Sequence, residues 1–316
     1  MKKFIKRIIP LAVSAFMLST SAFAAFTDMP SGKEGEALEN AVKNGLLTGV
    51  SETEIAPYMT ITRAQMGTIL ARAMGTKVAS KLANYADVDK NAWYFDGMSK
   101  AVYMGAFSGS PVNAKYYLYP EKAITYQEAF LVLSRVFAIH SDDETVLDGC
   151  SDKNEVADWA KDGVIAIVAG GYYVPDGKIH ANEPLDRVTF AVIMDNLIKN
   201  YIDTPGTVTE LKSGNTLVRS DGVILDGVKS SDILFVGDGV SKTEFKNVDL
   251  DRVIVRGGEA VLSGKFGYVL AAFGGVVLSP VAGEVEIKTY PDGTKGIIWA
   301  AAEGSYINMG KVIEQN

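Results

Sequence analysis

At 316 residues, 47% apolar and 22% charged, the sequence has room for two ordinary globular domains and too much apolar content for a disordered chain. A net charge of -7 disfavours nucleic-acid binding, which needs a basic face to neutralise phosphates. The single cysteine, Cys150, excludes an intrachain disulfide framework and reads as a small buried apolar residue.

Lys2, Lys3, Lys6 and Arg7 precede an apolar run from Ile8 to Leu18 that is too short to cross a bilayer. With Ser21, Ala22, Phe23 and Ala24 behind it, this stretch has the form of an export signal over residues 1–24, cleaved after Ala24. Losing those cations takes the net charge to about -11. No cysteine stands near the junction to carry a lipid, and no later run is apolar for long enough to make a transmembrane segment of the mature chain. The expectation is a secreted protein held at the cell surface non-covalently.

A unit of about 60 residues then recurs three times, over residues 25–80, 81–142 and 143–203. Phe26-Thr27-Asp28, Tyr85-Ala86-Asp87 and Cys150-Ser151-Asp152 open the units, and Trp93 and Trp159 follow the second and third aspartates. A first helix ends at glycine, as at Gly45 and Gly105, where a left-handed terminus suits that residue. An extended approach through Pro57 or Pro120 leads to a second helix. Thr62-Arg63-Ala64-Gln65 and Thr125-Tyr126-Gln127-Glu128 start that helix as capping boxes, whereas Asp186 caps alone because Thr189 is too short to reach back. Behind each cap runs an apolar stripe at helical spacing, such as Met66, Ile69, Leu70 and Ala73.

This pattern resembles the S-layer homology family, whose repeats carry an aromatic-x-Asp start, a tryptophan, glycines and a box like Thr-Arg-Ala-Glu. The likeness covers about 60% of the mature chain, in three in-phase copies. It implies a mainly helical three-repeat pseudo-trimer whose grooves bind secondary cell-wall polysaccharide, often one bearing pyruvate ketals. A cation in the first turn of a helix opposes the macrodipole by about 0.3–1 kcal/mol. Arg63 and Arg187 occupy that turn, and an anion shared between their guanidinium groups and the free amides of the helix start would explain the placement. The competing reading pairs each arginine with a nearby carboxylate. Trp93 and Trp159 offer faces for sugar rings, or else fill the core between helices. Asp28, Asp87 and Asp152 cap the first helix or accept hydrogen bonds from sugar hydroxyls. The second repeat has Tyr126 in place of the arginine and the first lacks the tryptophan, so unequal grooves are expected, with Arg63 and Arg187 carrying the affinity.

From Thr204, past Pro205 and Gly206, helical spacing gives way to short runs rich in β-branched and aromatic residues: Val223-Ile224-Leu225, Ile233 to Val236, Glu244 to Val248 and Val253 to Val255. Strands this short and evenly spaced suit a parallel β-solenoid or a β-sandwich over residues 204–316, and the phrase from Ile233 to Gly258 favours the solenoid. The apolar stretch Val269 to Leu278 reads as a buried coil of it, and the fold class is α+β. A solenoid end has unpaired edges on which another copy can stack.

His140 and His180 have no nucleophile motif or metal-ligand spacing around them and read as surface residues. Asp87 to Asn91 opens like a calcium loop, but Ala92 and Met98 stand where glycine and a bidentate glutamate are needed. No cofactor or metal is expected. The sequence therefore points to a non-enzymatic wall-binding protein. A self-assembling surface-layer or envelope-linking subunit is the alternative, and a tethered carbohydrate-active enzyme stands behind both.

Overall fold

The computed structural model describes residues 26–308, so the expected signal over 1–24 lies outside the described residues. Its N-terminal part contains α1 (Lys33–Lys43), α2 (Arg63–Ala73), α3 (Phe95–Tyr103), a hairpin of β1 (Ser110–Val112) and β2 (Lys115–Tyr117), α4 (Tyr126–Phe137), α5 (Lys161–Ala169) and α6 (Arg187–Leu197). The three capped helices start where the sequence places them. Thr62 and Thr125 each accept from the amide three residues on while Gln65 and Glu128 return the bond, and Asp186 accepts from the Thr189 amide alone. No helix among the described residues is long and apolar enough to cross a membrane.

The helices pack as α1 with α6, α2 with α3 and α4 with α5, so each capped helix lies against the first helix of a neighbouring unit. Close approach explains two glycines: a Cβ at Gly97 would meet Thr68 Oγ1 at 2.2 Å, and one at Gly163 would meet the Leu131 Cα at 2.5 Å. At the centre, the residues preceding the caps close a cycle. The Ile61 amide donates to the Leu185 carbonyl at 3.0 Å, Leu185 to Ile124 at 2.8 Å, and Ile124 back to Ile61 at 3.0 Å. All three side chains are fully buried, so the cycle satisfies backbone groups that water cannot reach.

The C-terminal part is a β-solenoid in which every strand pairing is parallel. One row runs through β3 (Asn200–Ile202), then skips β4 (Gly206–Val208) to reach β5 (Thr216–Val218). Past β6 (Val223–Asp226), which stacks on β4, it continues through β7 (Lys229–Val236), β8 (Lys242–Val255) and β9 (Glu259–Ala271). Beyond β10 (Val277–Ile287), β11 (Ile297–Ala300) ends that row and β12 (Tyr306–Ile307) ends the row of β10. Register shifts at Ser230/Ile233, Phe245/Val248 and Pro280/Val285 are the corners where long strands turn from one face to the next. A β-sandwich, built from antiparallel sheets, is thereby excluded. The predicted runs all lie in strands, and Val269, Ala271, Val276 and Leu278 are buried as expected. The sheet register begins at Asn200, however, ahead of the anticipated boundary at Thr204. Pro205 and Gly206 form a corner of the first coil rather than a linker, because Lys199 and Asn200 both donate to the Asn215 carbonyl directly after α6.

One solenoid face is covered by the helical unit. Alternation along the strands sends Leu234, Val236, Val253 and Val255 inward, while Leu217, Phe235 and Ile254 stack outward into the helical core. Around that seam, two solenoid arginines meet the carbonyl ends of helices. Arg219 donates to the Asn44 carbonyl at 3.0 Å, and Arg256 donates to those of Met104 at 2.8 Å and Arg135 at 3.4 Å. Cations are favoured there because the last carbonyls of a helix lack internal partners.

Candidate functional site

The capping boxes do more than start helices. In α2 the first two amides donate to carbonyls of the next unit, Arg63 to Lys122 at 3.0 Å and Ala64 to Pro120 at 2.9 Å. Equivalent bonds run from Arg187 to Met59 and Val188 to Pro57, and from Tyr126 to Glu183 and Gln127 to Ala181. The third amide is taken by the cap itself. The expectation that an anion shares the free amides of the helix start is therefore wrong, since neighbouring units already occupy them.

The arginines take part in the same stitching. Arg63 Nε donates to the Leu118 carbonyl and Arg187 Nε to the Ile55 carbonyl, each at 2.8 Å, and Arg187 Nη2 reaches the Thr48 carbonyl at 2.6 Å. They are only 9% and 6% exposed. Burial pulls both guanidinium pKa values below the ordinary range, opposed by Glu128 at Arg63 and by Asp28 at Arg187. For Arg63 the carboxylate-pairing alternative holds, with Nη1 3.4 Å from Glu128 Oε1. Among the described residues, Arg187 has no carboxylate within ion-pair distance and its hydrogen bonds run from Nε and Nη2 alone.

Each arginine lines a groove, and every residue lining the first has a counterpart in the second, which adds Gly109, Ser110 and Pro111. The first, of about 320 Å³, is lined by Arg187, Leu46 to Thr48, Gln65, Thr68, Ile69, Arg72 and Trp93. The second, of about 410 Å³, presents Arg63, Ala106 to Pro111, Glu128, Leu131, Val132, Arg135 and Trp159 in the same order. Trp93 and Trp159 are 61% and 54% exposed, so neither is core. They stand as open apolar walls of a polar cleft. Arg72 and Arg135 were missed in the sequence, although each lies in the last turn of its helix, at one constant distance behind the cap.

The third junction is built differently. There Tyr126 replaces the arginine and packs edge-on against Phe130 and Tyr173, at 5.9 and 5.7 Å between ring centroids. Asn196 stands in place of Arg72 and Arg135, donating to the Tyr172 carbonyl at 3.1 Å.

Asp28, Asp87 and Asp152 are not among the residues that line either groove and do not cap the first helices. Each clamps the loop ahead of the capped helix with both carboxylate oxygens: Asp28 takes the amides of Ile55 and Ala56, Asp87 those of Leu118 and Tyr119, and Asp152 those of Ile179 and His180. The Ile55 amide leads in holding the Asp28 carboxyl below its usual value; at Asp152 burial acts upward, but the two amides together prevail. A carboxylate depressed on folding stabilises above its unfolded pKa, about 3.9, and loses that contribution as pH falls through the folded value. Thermal melting is expected to drop steeply below about pH 4, and the Asp28→Asn, Asp152→Asn variant is expected to melt lower at pH 7 with a shallower acid dependence.

A family model described as S-layer homology domain matches residues 25–66 and 84–130. The chain is 31% identical over 180 residues to the Surface-layer 125 kDa protein of Lysinibacillus sphaericus, covering 55% of this chain and 15% of that protein. It is 29% identical over 143 residues to the Surface layer protein of Brevibacillus choshinensis, covering 43% of this chain and 12% of the relative. An Amylopullulanase of Thermoanaerobacterium thermosulfurigenes matches at 22% over 142 residues, 44% of this chain and 7% of the enzyme. The chain thus spans well under a fifth of the length of these curated relatives. It carries two segments that match the S-layer homology domain, followed by a β-solenoid.

Proposed function

We propose that the chain is a non-enzymatic wall anchor, exported and then held at the cell surface by secondary cell-wall polysaccharide bound in the grooves at Arg187 with Trp93 and at Arg63 with Trp159. In this reading the three helix pairs are three S-layer homology repeats in a pseudo-trimer, two of whose junctions are equipped to bind. The carrying observation is that both grooves set a half-exposed tryptophan opposite two arginines, the combination that holds a sugar ring by its apolar face and an acidic substituent by charge. Co-sedimentation of the mature chain with purified wall sacculi tests it. Binding that falls at least tenfold when pyruvate is chemically removed, and again with Arg72→Ala plus Arg135→Ala, is the expected result. Wild-type protein left wholly in the supernatant would sink the reading.

A second reading, a lattice subunit that assembles through its solenoid, draws on the likeness to surface-layer proteins. Concentration-dependent sheets in electron micrographs of the purified chain would favour it.

A further inference from the structure

The two ends of the solenoid are finished differently. At the first coil, Asp203 and Pro205 stand exposed at the corner between β3 and β4, and charge and proline are devices that keep a sheet edge from pairing. At the last coil β11 has neither. Its residues Ile297-Ile298-Trp299-Ala300 pair with β9 on one side, and among the described residues no strand lies on the other. Ile298 and Ala300 pack on the solenoid interior, which leaves Ile297 and Trp299 on the outer face, 48% and 51% exposed. Trp299 is in register with Leu270 and so continues the row of Leu217, Phe235 and Ile254 on which the helical unit is seated. That cover has run out at Trp299, so an apolar row buried along most of its length finishes in the open. The flanking charges identify the occupant. Lys295 stands four residues before Trp299 and Glu303 four residues after it, both exposed and neither in an ion pair among the described residues. Laid antiparallel with Trp299 on Trp299, a second copy of the strand sets each Lys295 opposite the other copy's Glu303, once on either side of the two-fold axis.

We infer that the chain forms a two-fold dimer through β11 laid antiparallel to itself, with Trp299 at the centre and a Lys295–Glu303 pair at each rim. The added strand supplies the hydrogen bonds that the bare edge lacks and covers Ile297 and Trp299. Each copy spends its unguarded end on the contact, so the pair is closed, unlike the open sheets of the lattice reading, and it is independent of wall binding. Sedimentation velocity of the mature chain over about 1–200 µM tests it. A monomer–dimer equilibrium is expected, with the Trp299→Lys variant monomeric throughout. Lys295→Glu and Glu303→Lys are each expected to raise the dimer Kd about tenfold, and the two together to return it to within about threefold of wild type, because the exchange restores both rim pairs. All three side chains are exposed, so every variant is expected to melt within a few degrees of wild type. A chain monomeric over the whole range, a dimer indifferent to Trp299→Lys, or a double exchange that fails to rescue overturns the inference. So does a dimer formed only after removal of residues 309–316, which would make those residues the occupant of the edge. Species that keep growing with concentration also overturn it, in favour of open stacking.

Discussion

Arg256→Ala is expected to cost about 3–5 kcal/mol, the range for removing one member of a buried ion pair. The Arg256 and Asp238 side chains are 2% and 1% exposed and meet at 3.0 Å. Asp238 is tied in turn to Thr76 Oγ1 at 3.2 Å, and the guanidinium holds the Met104 and Arg135 carbonyls. Truncation therefore strands a buried carboxylate and two helix-end carbonyls at the seam between helical unit and solenoid. Burial already pushes the Asp238 carboxyl above its usual range, against the pull of Arg256. Without the arginine that carboxyl takes up a proton, which limits the loss at low pH and leaves it full at pH 7. Urea unfolding at both pH values checks the sign. In the wild type a single transition is expected, because Leu217, Phe235 and Ile254 of the solenoid belong to the helical core; in the variant the two parts are expected to unfold separately.

The second large effect concerns binding. Trp93→Ala with Trp159→Ala is expected to reduce retention on wall sacculi to background. Truncating a tryptophan at the centre of a contact typically costs about 2 kcal/mol or more, some thirtyfold per groove. Two grooves on one chain facing a repetitive polymer also gain avidity of about 10²–10⁴, which is lost when both weaken. Each single variant is expected to retain measurable binding. Since both rings are more than half exposed, the double variant should melt within a few degrees of wild type, which separates lost binding from lost fold.

Much of this was legible because the signals are local. Thr62, Thr125 and Asp186 announce helix starts through chemistry contained within four residues, and the short apolar runs Val223 to Leu225 and Ile233 to Val236, bounded by glycine and aspartate, mark strands. What stayed hidden depends on partners far along the chain. Nothing near Asp28 reveals that its acceptors serve amides at Ile55 and Ala56, and nothing near Arg63 reveals that its helix-start amides are engaged by Lys122 and Pro120. Arg72 and Arg135 look like ordinary solvent-facing helix residues until the packing of Trp93 and Trp159 across from them makes a cleft. The solenoid boundary was misplaced for a related reason: Pro205 and Gly206 punctuate a coil corner with the same residues that would mark a linker.

Each groove draws one wall from every unit. The first combines the box of the third, the loop and helix of the first and the tryptophan of the second; the other combines the box of the first, the loop and helix of the second and the tryptophan of the third. A gene fragment encoding any two units would thus inherit no finished groove, and a fourth unit would find no open place in the closed central cycle. Recombination can carry the two grooves between proteins only together, and sequence drift at one junction is free to alter one groove while the other stays intact.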